Sequence, residues 1–248
     1  MSERNYGWRA PVLLIAGVLA GWQILYWIIG EVALRSPLET FRFTAHLMTQ
    51  PNFWVNLNSS LIAFGAALVI GVVAGLLIGF ILGFNRMAGE VFEPMLVAIY
   101  SLPKVTLYPI LLLAFGLGIS AKIAFGAIHG FIPIALFTLS AVRNVRPVYI
   151  KTGRVLKLNT WTMVRKVLFP AALPEIFSGL RIGFSLTLIG TVLAEMFASQ
   201  QGLGYMLMNA IGLHNIDIIM SVTLLLTIFA VSVGGLLLMI DRRLHRRI

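Results

Sequence analysis

Apolar residues run in long, nearly unbroken stretches along this chain, and polar residues gather in the intervals between them. A helix needs about 20 mostly apolar residues to cross the hydrocarbon core of a bilayer. Six stretches qualify, at residues 11–29, 57–84, 91–115, 119–142, 175–199 and 216–240. The pattern predicts an all-α integral membrane protein with about six transmembrane helices. Gly116-Leu117-Gly118 is so short a link that the third and fourth stretches must form an antiparallel hairpin, and no interval has room for a soluble domain. The first stretch follows a short polar start, as a signal peptide would. At about 20 residues it exceeds a signal peptide's apolar region of about 7–15, and no small-residue cleavage site closes it. It is read as a first transmembrane helix.

Several stretches carry features beyond bulk hydrophobicity. Gly71, Gly75, Gly79 and Gly83 repeat every fourth residue of the second, marking a face that lets another helix backbone approach closely. That face predicts packing within the subunit, with a sliding or dimer seam as the alternative. Pro103 and Pro109 interrupt the third stretch, beside Lys104. Proline removes a backbone donor, so this segment is expected to kink and to face other helices or a cavity. Glu195 is the one carboxylate well inside an apolar run, near the outer end of the fifth stretch, where water is expected to be close. An intramembrane acid is a functional candidate by default, and a capping role is the competing expectation. Thr106, Tyr108, Glu195 and Gln201, as polar side chains in apolar surroundings, are the candidates for lining a translocation pathway.

Composition agrees with the pattern. The chain is 59% hydrophobic and 11% charged with mean hydropathy +0.93, against about 25% charged residues in a typical soluble domain. The net charge of +10 would suggest nucleic acid in a soluble protein, but its distribution excludes that reading. Arg4, Arg9, Arg86, the 143–166 interval and the 242–247 tail hold most of the Lys and Arg, whereas the alternate intervals hold Arg35, Arg42 and Lys122. Basic residues concentrate on the cytoplasmic side, so both termini are expected there. Cysteine is absent and the four histidines have no metal-ligand spacing, so no metal site and no catalytic group are predicted.

The interval from Arg143 to Phe169 is basic and apolar at once, with Val155, Leu156, Leu158, Trp161 and Val167 among its cations. Asn159 and Thr160 are good N-cap types, predicting two short helices with a break there. Pro170 is expected to close the second of them. Such a loop must lie on a membrane surface or bury its apolar side against a partner. Residues 155–174 read VLKLNTWTMVRKVLFPAALP, followed by EIFSGLR. This resembles the signature loop of binding-protein-dependent permeases of the ATP-binding-cassette (ABC) importers, the type I family. AFGLGISAKI at 114–123, the Pro103/Pro109 pair and AEMFASQQGLGY at 194–205 resemble its nitrate, sulfonate and taurine subgroup. The resemblance covers roughly residue 57 to the C-terminus. It departs at Lys151, Thr152 and Gly153, which stand where the family has Glu-Ala-Ala, and at Lys157, which stands where it has glycine.

The resemblance implies a domain of that type over 57–241. A first helix with its flanks (1–56) precedes it, a basic tail (242–248) follows, and the coupling loop falls at about 143–174. It implies that Arg154, Leu156, Lys157, Leu158, Asn159 and Trp161 meet a separate ATPase subunit, which binds ATP and Mg, so that this chain needs no cofactor. It further implies a second permease copy, a periplasmic or lipid-anchored substrate-binding protein, and residence in a bacterial inner membrane. A small, anionic solute would be the cargo. The chain has no G-x-x-x-x-G-K-[ST] phosphate loop of its own. The alternative is an ion-coupled carrier or channel, which would usually show several intramembrane acids or paired broken helices. An intramembrane enzyme would need a cluster of reactive groups that the sequence lacks.

Overall fold

A computed structural model describes residues 9–245 of the chain. Arg4, Arg246 and Arg247 fall outside the described residues. Within them every regular element is helical: α1 (Arg9–Ile29), α2 (Pro37–Leu47), α3 (Pro51–Phe84), α4 (Arg86–Ser101), a 3₁₀ turn (Lys104–Leu107), α5 (Tyr108–Phe115), α6 (Ile119–Arg143), α7 (Pro147–Val155), α8 (Thr160–Met163), a π turn (Val164–Leu168), α9 (Phe169–Ala198), α10 (Leu203–Gly212) and α11 (Ile216–His245). Five helices are long and apolar enough to span a bilayer, and the bent α4–α5 pair makes a sixth if counted as one span.

α6 is the central helix, packed along its length on α3 and α9. The glycine stripe explains why these backbones come so close. A Cβ on Gly75 would sit 2.7 Å from the Ile134 Cβ, and one on Gly79 would sit 2.7 Å from the Ala135 carbonyl oxygen. Lipid tails offer helices no hydrophobic incentive to associate, so close van der Waals packing across small residues does that work. Of the two expectations for the stripe, packing within the subunit is the one observed.

The third predicted stretch is not one straight helix. α4 and the α5 segment meet at 89°. Leu102 is extended (φ −67, ψ 141) ahead of Pro103, as the residue before a proline prefers. The expected kink is therefore a sharp break.

A second expectation fails in the opposite direction, because Pro170 does not close a helix. α8, the π turn and α9 run on as one span, Trp161–Phe197, of 37 residues. The Phe169 N–H bonds the Val164 carbonyl in the wider π register immediately before Pro170. That register shift accommodates a ring that would otherwise clash with a carbonyl one turn back.

α2 and α10 were not anticipated, since both are too short to register as spans. Ser36 and Glu39 form a capping box at the start of α2, and hydrogen bonds from the Ser36 hydroxyl and amide hold the Glu39 carboxyl below the usual carboxylate range. At the end of the molecule that carries the 144–159 loop, Arg143 binds Glu93 at 2.6 Å and Arg181 binds Asp241 at 3.3 Å, tying α6 to α4 and α9 to α11.

Candidate functional site

Two places depart from plain helix packing, at opposite ends of the bundle. The first is a polar latch around the N-terminus of α10. The first amides of a helix have no acceptor within it, and here other helices supply the acceptors. The Gly202 N–H donates to Asn56 Oδ1 (2.8 Å), the Leu203 N–H to Ser60 Oγ (2.7 Å) and the Gly204 N–H to Glu195 Oε2 (3.0 Å). Ser60 in turn donates to the Glu195 carboxylate, its oxygen 2.7 Å from Oε2. Lys122 Nζ lies 3.8 Å from Glu195 Oε1 and donates to the Gln201 carbonyl. The latch thus joins α3, α6, α9 and α10.

Its electrostatics are closed. Glu195 is 0% and Lys122 5% exposed, so each charge is compensated by the other and by hydrogen bonds rather than by water. A carboxylate at a helix N-terminus also faces the positive end of the helix dipole. Gly202 permits the approach: at φ 124 it holds a backbone form that side chains rarely adopt, and a Cβ there would run into the Glu195 carboxyl group. Beside Lys122 a cleft of ≈ 220 Å³ is lined by Ser59, Ser199, Gln200 and Gln201 together with the apolar Leu117 and Ile119.

Two expectations change here. Glu195 is sealed from solvent, not close to water, because the 199–204 segment folds over it. Lys122 does not sit in a loop: it lies in the first turn of α6, among protein groups. The four pathway candidates fall in two adjoining settings. Glu195 and the Gln201 backbone meet at the latch through Lys122, and Thr106 and Tyr108 stand at the break between α4 and α5. Tyr108 is buried, donating to the Ala194 carbonyl at 2.7 Å and packing on Phe125. Thr106 is exposed and donates to the Pro103 carbonyl one turn back. The Gln201 side chain is exposed while its carbonyl faces Lys122.

Sequence reasoning missed Asn56, Ser60 and Lys122. One signal was available for the last: a cation and an anion each placed in an apolar helix invite pairing.

The second place is the 144–159 loop with the start of α8. α7 is anchored through Tyr149 and Ile150 against Ala141, Val145 and Ala172. The chain then reverses at Lys157, whose φ is 48. The Leu158 N–H bonds the Gly153 carbonyl at 3.0 Å, six residues counted inclusively, which is the closing bond of a Schellman turn. The residue at that point is ordinarily glycine, so the lysine standing at the family's glycine occupies the strained position of the turn. Asn159 caps α8, accepting from the Thr162 N–H at 2.8 Å, as its residue type predicted.

The reversal leaves Val155, Leu156 and Trp161 81%, 64% and 71% exposed, with Leu158 half-buried beside them. The Arg154 side chain lies outside the described ones. Apolar side chains this open on a polar turn make the segment a candidate interaction surface.

The family model described as binding-protein-dependent transport system inner membrane component matches residues 70–248. The taurine transport system permease protein TauC of Escherichia coli (strain K12) is 27% identical over 259 residues, covering 98% of this chain and 94% of its own. The nitrate import permease protein NrtB of Synechocystis sp. is 30% identical over 242 residues, covering 92% of this chain and 84% of its own. A solved inward-facing structure of the MetNI methionine ABC transporter superposes with TM-score 0.67 at 20% identity, covering 79% of this chain and 98% of that one. At that identity the likeness carries the fold alone.

Proposed function

This chain belongs to the family of binding-protein-dependent transport system inner membrane components, as a permease of an ABC importer, and from that premise we propose how its two unusual ends divide the work. The 144–159 loop, with the start of α8 that carries Trp161, is the coupling element that docks on a separate ATPase subunit, on the cytoplasmic side together with both termini. The latch end faces outward, where a substrate-binding protein delivers its cargo. Two copies of the chain enclose the pathway. Transport does not require this chain to hydrolyse anything, and ATP and Mg belong to the partner.

The observation that carries this reading is the exposed apolar surface of Val155 and Leu156 at the tip of the loop and Trp161 at the start of α8, on a chain with no phosphate loop. The cargo is a small solute with an anionic group, of the sulfonate, taurine or nitrate kind, a choice supported by what TauC and NrtB are named for. Thr106 and Gln201, with exposed side chains, are the pathway candidates best able to meet it. Tyr108 and Glu195 act on the pathway by shaping its wall.

The test is affinity purification of the tagged chain in mild detergent with quantification of what co-purifies. An ATPase subunit in near-equal amount is expected. Replacing Lys157 and Trp161 together by alanine is expected to abolish transport while the subunit still inserts and folds. Normal transport by that double variant would sink the placement of the coupling element. A chain that carries solute in liposomes with neither ATPase nor ATP would instead be an ion-coupled carrier or a channel.

A further inference from the structure

Between Arg143 and Glu175 the chain carries six cations, Arg146, Lys151, Arg154, Lys157, Arg165 and Lys166, and no acidic residue. Cations that close the bundle at this end are treated differently. Arg86 is held by Glu90 at 3.0 Å, Arg143 by Glu93 at 2.6 Å and Arg181 by Asp241 at 3.3 Å. Lys151, Lys157, Arg165 and Lys166 are exposed, and among the described residues none has a carboxylate within ion-pair distance. Lys157 also holds a left-handed backbone, φ 48, which costs a residue with a Cβ about 1–2 kcal/mol. Glycine would make the same turn without that cost, so what lysine adds at the apex is charge beside Leu156 and Trp161.

A basic, apolar surface suits either an anionic membrane or an acidic protein groove. Length decides between them. The span Trp161–Phe197 has 37 residues, about 55 Å at 1.5 Å per residue. A bilayer with its headgroups is about 40–45 Å thick, and an average tilt of about 20° shortens the helix's projection only slightly. With its far end at the opposite interface, the span lifts Trp161 and the turn before it clear of the headgroups.

We infer that the ATPase surface receiving this loop is an apolar groove rimmed by carboxylates. Val155, Leu156 and Trp161 fill the groove, and Lys151 and Lys157 pair with its acidic rim. The inference rests on the docking reading above and adds to it the sign of the partner's charge. It makes docking selective between ATPases of different rim charge and sensitive to salt, because contacts at a rim exposed to solvent are screened.

The experiment uses the full chain with its ATPase in nanodiscs, and measures ATPase retention from roughly 0.01 M to roughly 1 M salt, over which the screening length falls from about 30 to about 3 Å. Wild type is expected to lose ATPase as salt rises. Lys151→Glu with Lys157→Glu is expected to lower retention at low salt by at least about tenfold, while Lys151→Arg with Lys157→Arg keeps it. Trp161→Ala is expected to lower retention equally at every salt concentration. Full retention by the charge-reversed variant, with Trp161→Ala still weakened, would overturn the acidic rim and leave the docking reading standing. Full retention by both would overturn the docking reading as well. A salt dependence that vanishes in discs of purely zwitterionic lipid would show the lysines reading the membrane, and would also overturn the inference.

Discussion

The latch and the 144–159 loop are both unusual concentrations of polarity in an apolar protein, yet they solve opposite problems. At the latch, Glu195 and Lys122 are removed from water and are engaged from within the chain, together with Ser60 and Asn56 from α3, the Gln201 carbonyl and the first amides of α10. At the loop and the start of α8, Lys151, Lys157 and Trp161 are exposed, and the charge of the two lysines is uncompensated by the described residues. A buried charge has nowhere to turn except to its partners, so removing one is costly. An exposed charge keeps water as its alternative partner, so its energy is realised only when something docks. The difference teaches that burial, and not the density of polar residues, separates the part of this permease that holds shape from the part left open to solvent.

Substitutions put that contrast at risk in order of expected size. Glu195→Ala strands Lys122 without its counter-charge and is expected to cost about 3–5 kcal/mol, read as thermal unfolding in detergent. Adding Lys122→Ala should restore part of the loss, since coupled residues do not add; strictly additive losses would mean the pair does not act as a unit. Gly79→Val forces α3 away from Ala135 and Thr138 on α6, with an expected loss of about 1–3 kcal/mol. It tests whether the latch merely caps a bundle that glycine packing already secures.

Ser60→Ala removes the acceptor of the Leu203 N–H and a donor to Glu195. The expected cost of about 1–3 kcal/mol should be concentrated in α10, seen as faster amide hydrogen exchange there. The smallest effect is at the loop. Lys157→Gly relieves a left-handed lysine and should stabilise by less than about 1 kcal/mol, the gain being partly offset by glycine's greater freedom in the unfolded chain. A clear loss on that substitution would mean the loop contributes to the fold, and the contrast with the latch would fail.

Much of the architecture was legible because membrane spans are written in long apolar runs. The hairpin at Gly116–Gly118, the glycine face of α3 and the cap at Asn159 followed from residue types whose roles are local. Pro103 was legible as an interruption, but its 89° break was not, since proline removes a bond without specifying an angle. Pro170 was misread for the reciprocal reason: a π turn upstream absorbs the ring, and nothing in its own neighbourhood announces that. α10 is an apolar stretch too short to read as a span, and Lys122, at the very start of the fourth stretch, counts by its charge with the link before it.

The sequence by itself determined that this protein lives in a bilayer, roughly where its helices cross, and that its longest internal polar interval is basic and apolar together. These are properties of consecutive residues, whose hydropathy adds up along one helix. Only the tertiary structure decided that Glu195, Lys122, Ser60 and Asn56 form one knot, because Ser60 and Glu195 are 135 positions apart and their meeting depends on how α3, α6 and α9 pack. It also decided that Lys157 sits at a left-handed apex, with Leu156 and Trp161 left uncovered beside it. Pairing inside a low-dielectric core and exposure at a tip are relations between distant elements, and they come into being only when the helices close on one another.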